Sequence, residues 1–584
     1  MFSVPRLFRP EGLLALTRRA VRSSEISLIV LSVFVGVAAG LSAAALAFVA
    51  HGLQRLLFGL RPGELHLSAV TSVEPVRLLV LPLGGLVLAL VLLATSRGKR
   101  TAIDVVEANA LHGGRIPARD TGAVAAQTVV SNGFGASVGL EAAYAQVGGG
   151  IASIVGQWFN LRRGDLRTLV GAGSGAALGA AFGAPLTGAF YAFEIVIGAY
   201  TPAGIAPVAA SALAAVVTVR TLGLPPYLIA ASPGHTLTSI DYAIYALLGV
   251  IAAFAAIALM HFVSIVDRWV KALDLNDVVR PVVGGLILMP LAYVTPQALS
   301  SGHGALNLTI ASQLSLAALA MIFVIKLCAS AISLGFGFRG GLFFASLFLG
   351  TVLGEIFALV WAMIPGAPPL TPTDAALVGM AAMAVAVVGG PMTMSLLVLE
   401  TTHDFGITAI VVTAALCSSA LVRTQFGYSF STWRLHLRGE VVRSARDIGW
   451  MRALTAERMM RRAPATIRDD ETIAEFRDQF PLGSTKRVML EDADGCYAGL
   501  VQTPSAFADA RLDAPVSTLA RYRECVLTPD MGIDDIMLRF DQSEADDLAV
   551  VDYQKHIVGM LSERYVRQRY AAEMNRVQRQ IYGE

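Results

Sequence analysis

Between residues 28 and 425 the chain is apolar in stretches long enough to cross a bilayer, and glycine or proline cuts several of them short. Only helices or a closed barrel can cross lipid, because each must satisfy its own backbone. A broken helix survives there only where protein or a water-filled cavity takes up the freed N–H and C=O groups. The run at 28–50 meets the ~20 residues that a spanning helix needs. The run at 77–95 crosses back and ends on Arg97-Gly-Lys-Arg100. Together with Arg6, Arg9, Arg18, Arg19 and Arg22, these basic flanks predict a cytoplasmic N-terminus. No small-residue cleavage site follows the first span, so the start does not read as a signal peptide. Composition agrees: 55 % of the 584 residues are hydrophobic and 15 % charged, with a mean hydropathy of +0.62. That balance belongs to a polytopic membrane protein.

Three stretches, 121–137, 141–159 and 169–200, are apolar but dense in glycine and alanine. The last contains Gly171-Ala-Gly-Ser-Gly-Ala176 and Ala181-Phe-Gly-Ala-Pro-Leu-Thr-Gly188. Small residues let helices pack closely, and the breaks predict helices that stop partway through the membrane. A second hydrophobic half, 242–421, has its own broken region, Leu334-Gly-Phe-Gly-Phe-Arg-Gly-Gly-Leu-Phe-Phe344. It also has its own proline break, Gly389-Gly-Pro-Met-Thr393, ahead of Glu400. Paired interruptions in two halves predict internal repeats with a binding site at their junction.

Glu141 is the one carboxylate in Ser131-Asn-Gly-Phe-Gly-Ala-Ser-Val-Gly-Leu-Glu-Ala-Ala-Tyr-Ala-Gln146. An ionisable group at membrane depth is costly unless it lines a cavity or has a partner. The glycines before it allow a helix to start there, and a helix N-terminus attracts anions through its free N–H groups. Glu141 then reads as a tethered anion at a place where a free anion can also sit. The plainer reading is a carboxylate that merely stabilises the helix dipole, a gain below about 1 kcal/mol.

Near Trp433 the composition turns charged, with short alternating strands and amphipathic helices. Two similar units follow, with strand pairs Arg487-Val-Met-Leu490 and Tyr497-Ala-Gly-Leu-Val501, then Asp547-Leu-Ala-Val-Val-Asp552 and His556-Ile-Val-Gly-Met-Leu561. The division predicted is a cytoplasmic segment at 1–27, a membrane domain at 28–432, a linker at 433–452 and two units at 453–510 and 511–584. Four cysteines (Cys328, Cys417, Cys496, Cys525) lie far apart, so neither a disulfide framework nor a metal site is expected. A net charge of +2 gives no reason to expect a nucleic-acid partner.

The motifs, taken in order, resemble the ClC family of chloride channels and chloride/proton exchangers, over roughly residues 28–425. Gly139-Leu-Glu-Ala-Ala143 is similar to the family's Gly-x-Glu-Gly-Pro gate at its first glycine and glutamate. Gly340-Gly-Leu-Phe-Phe-Ala345, with Lys326 before it, resembles Gly-Gly-x-Phe-x-Pro. The segments 181–188 and Pro391-Met-Thr-Met-Ser-Leu-Leu-Val-Leu-Glu-Thr-Thr402 match further family motifs. The two C-terminal units resemble a tandem pair of CBS domains. The implied fold is an all-α polytopic membrane domain of broken, tilted helices in two repeats, read as inverted, followed by an α/β cytoplasmic tandem CBS-like module.

The resemblance implies a homodimer in the bacterial inner membrane, multi-pass, with both termini cytoplasmic and an anion path in each subunit. Glu141 becomes the gate and a proton acceptor. The backbone at Leu342, Phe343, Leu140 and Ala142 becomes the anion ligand set, because partial charges bind an anion weakly enough to release it. The family's contact serine falls near Arg100 or Thr101, and its pore tyrosine near Ser431, with Tyr428 and Phe430 alongside. Lys99 and Arg100 also read as the basic flank of a span, and Thr101 as a helix cap. Ile195 occupies the place of the inner proton-transfer glutamate, so Glu194 beside it is either a displaced relay or a structural carboxylate. Glu400 reads as structural, and His303 and His403 as loop-end residues. The expected function is small-anion transport, chloride foremost, as a chloride/proton antiporter. The alternative is a passive chloride channel, and a remote one is a membrane receptor or enzyme sensing through the CBS-like pair. No catalytic residue set is found and no enzyme is expected. No cofactor is expected either: Thr503-Pro-Ser-Ala-Phe507 and Ser562-Glu-Arg-Tyr-Val566 lack the aspartate that would hold an adenine nucleotide's ribose.

Overall fold

The computed structural model describes residues 25–61, 66–95, 102–224, 238–312, 314–430, 432–433, 454–508 and 511–582. The chain divides into two compact units, Met1–Asp447 and Ile448–Glu584. The first is built of helices joined by loops, with no β-strand among its described residues. Its first half contains α1 (Glu25–Phe58), α2 (Val80–Thr95), α3 (Val105–Leu111), α4 (Ala118–Gly133), α5 (Glu141–Trp158), α6 (Arg163–Phe182), α7 (Pro185–Tyr191) and α8 (Pro202–Thr221). The second half contains α9 (Ser239–Ala272), α10 (Val279–Val294), α11 (His303–Ala311), α12 (Leu316–Gly335), α13 (Phe343–Trp361), α14 (Pro372–Val388), α15 (Pro391–Thr402) and α16 (Phe405–Gln425). Seven helical segments among the described residues are long and apolar enough to cross a membrane. Many of their large apolar side chains, such as Phe34, Phe48 and Phe254, face outward, as a lipid-solvated surface requires.

The breaks come in matched pairs. Helix α4 ends before Gly135 (φ 87°), and α12 ends before Gly337 (φ 94°). A left-handed residue just past a helix closes its last carbonyls, and glycine adopts that conformation without steric cost. The next break repeats the device: Gly183 (φ 70°) and Gly389 (φ 93°) end α6 and α14. Pro185 and Pro391 then start the following short helices, at the position where a missing N–H costs nothing. Helix packing is matched as well. A Cβ on Gly148 or Gly173 would collide with the other's carbonyl, which holds α5 against α6, and Gly350 with Gly379 does the same for α13 and α14.

Two carboxylates cross-brace the halves. Glu194 accepts hydrogen bonds from the amides of Met392 (3.1 Å) and Thr393 (2.8 Å) and from the Thr393 hydroxyl (2.7 Å). Glu400 accepts from the amides of Leu186 (2.8 Å) and Thr187 (2.8 Å) and from the Thr187 hydroxyl (2.7 Å). Each caps the free N-terminus of a short helix in the other half. A carboxylate placed there meets both the orphan N–H groups and the positive end of the dipole.

The second unit holds two three-stranded sheets of the same topology. In one, β1 (Thr466–Arg468) pairs parallel with β2 (Arg487–Glu491), which pairs antiparallel with β3 (Tyr497–Gln502). In the other, β4 (Val526–Leu527), β5 (Asp547–Val551) and β6 (Ile557–Ser562) repeat the order, down to a bulge at the end of the middle strand. Strand β2 buries Val488, Met489 and Leu490 in succession, and β5 is buried along its whole length. Continuous burial follows from sheets covered on both faces.

Candidate anion site

The broken segments of the two halves meet in the middle of the first unit. Gly139 and Gly341 pair as one antiparallel backbone bridge, with two N–H to O hydrogen bonds at 3.0 and 3.3 Å. Immediately after them, α5 begins at Glu141 and α13 at Phe343. The bridge therefore brings two helix N-termini together, both in apolar surroundings. Glu141 is 3 % exposed. Its Oε1 accepts the backbone N–H of Phe344 at 3.0 Å, so the carboxylate of one half caps the helix of the other. Oε2 is buried with no hydrogen-bond partner among the described residues.

A cavity of about 110 Å³ opens beside this carboxylate. Glu141, Ala142, Gln146, Tyr191, Arg339, Gly340, Gly341, Leu342, Phe343 and Phe430 line it, with Asp104 and Ile195. Of the residues expected from sequence, Glu141, Ala142, Leu342 and Phe343 surround this space. Leu140 does not line it; its side chain packs with Val129 and Tyr144. Arg100, Thr101 and Ser431 lie outside the described residues. Phe430, one position before Ser431, lines the cavity along with Tyr191 and Phe343.

Lys326 sits fully buried nearby on α12. Its Nζ donates to the carbonyls of Ser300 (2.8 Å) and Ala298 (3.2 Å), and its charge acts on Glu141. Arg339 is fixed by its amide to Ser131 Oγ (3.0 Å) and by its guanidinium to Gln127 Oε1 (3.2 Å). Sequence reasoning missed Tyr191, Gln146 and Asp104 as lining groups. Nothing local marks them, because helix packing brings them to the cavity. Asp104 also caps α3, accepting from the Glu107 amide at 2.8 Å.

A larger vestibule of about 530 Å³ adjoins it, lined by Glu194, Tyr200, Ser419, Arg423, Tyr428, Ser429 and Thr432 among others. Val106, Ile195 and Val388 line both spaces, so three branched alkyl groups stand where vestibule and cavity meet. Glu194 lines the vestibule while its carboxylate is engaged in the cross-brace.

The arrangement joins a wide vestibule of mixed polar and apolar lining, a rim of branched alkyl groups, a small cavity walled by helix N-termini, and one carboxylate occupying an N–H group there. The voltage-gated chloride channel family model matches residues 83–423, more than half of the chain. A putative chloride channel protein, ClcB-like, from Ralstonia nicotianae is 29 % identical over 362 residues, covering 60 % of this chain and 84 % of that protein. Two solved structures share the fold with a TM-score of 0.60 each. A slow cyanobacterial Cl−/H+ antiporter is 21 % identical, covering 70 % of this chain and 97 % of its own. A eukaryotic CLC transporter is 18 % identical, covering 94 % and 98 %. The chain is an integral membrane protein and belongs to the voltage-gated chloride channel (ClC) family of chloride transporters and channels.

Proposed function

We propose that this chain exchanges chloride for protons, with Glu141 as both gate and proton acceptor. One observation carries the reading: Glu141 Oε1 holds the Phe344 N–H, a donor that a chloride ion would otherwise use, while Oε2 has no partner among the described residues. A carboxylate and an anion cannot share one N-terminus, so each displaces the other. Protonation removes the carboxylate's charge and its hold on the helix dipole, and the anion enters. The ligands are the backbone groups at Leu342, Phe343 and Ala142, whose partial charges favour fast release. The matched breaks support reading the two halves as inverted repeats around this junction.

A second reading, a chloride channel with Glu141 as gate only, is favoured by Ile195. An alkyl group cannot pass a proton across the rim, and releasing Glu194 for that task would break three hydrogen bonds. Exchange then requires water in the vestibule to carry the proton to the cavity. The dimer, the inner-membrane location and the cytoplasmic termini follow from the family reading and the basic N-terminal flank. The paired C-terminal units fit a CBS-like module that supports the dimer without a nucleotide.

Chloride binding to the purified protein, followed by calorimetry, tests the competition. Glu141→Ala removes the tethered competitor and should bind chloride about tenfold more tightly, the effect of roughly 1.4 kcal/mol. Equal affinity in both proteins would show that the carboxylate and the anion do not share the site.

A further inference from the structure

Three imidazoles stand in a row behind the gate. His51, near the end of α1, meets His66 edge to face at 5.1 Å between centroids. His66 stacks on His303 at 5.7 Å, with the ring planes 19° apart. His303, the first residue of α11, shares a hydrogen bond with Ser301 Oγ and lies with its ring centroid 3.2 Å from that of Phe344. Phe344 is the residue whose N–H holds Glu141, and its ring continues the stack onto Phe182 at 4.8 Å. The row thus ends on the hydrogen bond that restrains the gate.

We infer that His303, backed by His66 and His51, is a positioning residue for Glu141 that acts through Phe344, and that proton uptake by the row loosens the gate. This rests on the reading of Glu141 as gate. Free imidazole changes charge between about pH 5 and 8; burial and the neighbouring charges push His66 down to about 4 and hold His303 well below the ordinary value, so this row takes up a proton only in stronger acid. While neutral, the rings pack as aromatic neighbours and brace the first turn of α13. Once charged, they face one another at 5.1 and 5.7 Å, a separation at which like charges repel strongly in a poorly screened interior. Among the described residues, the other charged groups that act on the row are Arg55 on α1, which acts on His51 and His66, and Lys326 on α12, which acts on His303. Both are cations, so a proton anywhere in the row adds repulsion. The acid at this end of the row is Glu141, and it lies beyond the Phe344 amide. The relief available is for His303 to leave Phe344, which removes the lateral support of the N–H that Glu141 occupies. Acid would then open the gate in two ways, by protonating Glu141 and by loosening what holds it. A metal-ion role for the row is not supported: among the described residues no group of His, Cys, Asp or Glu is arranged to hold a metal.

The test is initial chloride efflux from liposomes holding the full-length protein, at equal pH on both sides, between about pH 4 and 7, a window set by the downward shift of the buried imidazoles. His303→Phe keeps an aromatic ring against Phe344 but takes up no proton. It should lower efflux at about pH 4 by roughly threefold, the equivalent of half a pKa unit, and leave efflux at about pH 7 unchanged. In a Glu141→Gln background the same substitution should change nothing by more than about twofold. His66→Phe gives the same readout one ring further out, should His303→Phe fold poorly. A His303→Phe profile superimposed on wild type overturns the inference, and so does an equal loss in the Glu141→Gln background, which would mark a general packing defect. If Glu141→Gln itself leaves the wild-type pH profile intact, the gate reading falls, and the inference with it.

Discussion

At the scale of single residues, the carboxylates divide by what their oxygens hold. Glu194 and Glu400 have both oxygens engaged, each by two amides and a hydroxyl across the halves. Glu141 has one oxygen bonded and one orphaned. An orphaned buried oxygen costs free energy that a cap does not, so of these three carboxylates Glu141 is the least firmly held. Glu400→Ala should therefore lower thermal stability by about 3–5 kcal/mol, since three bonds of roughly 1–1.5 kcal/mol each are lost. Glu141→Ala should leave the melting temperature unchanged or higher. A melting curve of the detergent-solubilised protein checks both; a Glu141→Ala protein that melts far below wild type would make that carboxylate structural. Glu141 is legible in the sequence because a lone acid among glycines in an apolar stretch has little to do there except meet a cavity or a helix start. The role of Glu194 is not, since its partners lie about 200 residues away in sequence. The signal that identifies it is the shared pattern Pro185-x-Thr187 to Glu194 and Pro391-x-Thr393 to Glu400, with equal spacing in both halves.

At the scale of elements, the short helices exist because the chain stops them. Glycine in the left-handed conformation ends α4, α6, α12 and α14, and proline restarts two of the chains that follow. Such helices are too short and too broken to be stable alone, so packing must hold them. The contact of α5 with α6 through Gly148 and Gly173, and that of α13 with α14 through Gly350 and Gly379, set the direction of the helices whose N-termini form the site. Gly173→Leu should accordingly abolish folded protein or cost more than about 3 kcal/mol, because the obstacle is backbone and cannot turn aside. Size-exclusion profiles and yields read this directly, and normal behaviour of the variant would show that the close approach is dispensable. The breaks and the small-residue stripes are readable from sequence. The Gly139–Gly341 bridge is not, because no local pattern says which broken segment pairs with which.

For the whole molecule, every described residue that lines the cavity or the vestibule belongs to the first unit. The second unit has its own cores, around Phe476 and around Phe540, and none of its described residues lines either space. A chain ended after Asp447 should therefore still pass chloride, at a rate within about tenfold of the full protein if the module supports assembly alone. Loss of all flux would place part of the conduction machinery in the second unit. The change to an α/β C-terminal part and its strand pairs are legible from the abrupt rise in charge near Trp433. The position read for the pore aromatic, Ser431, lies outside the described residues, while Phe430, named beside it, lines the cavity.

The central claim is that Glu141 alternates between binding a proton and yielding its place to chloride. Chloride-loaded proteoliposomes, starting with no pH gradient and with the voltage held near zero, test it most directly. The account predicts that outward chloride flow drives protons inward, and that Glu141→Gln passes chloride while moving none. Chloride leaving the wild-type vesicles with no proton movement would contradict exchange and leave Glu141 as the gate of a channel.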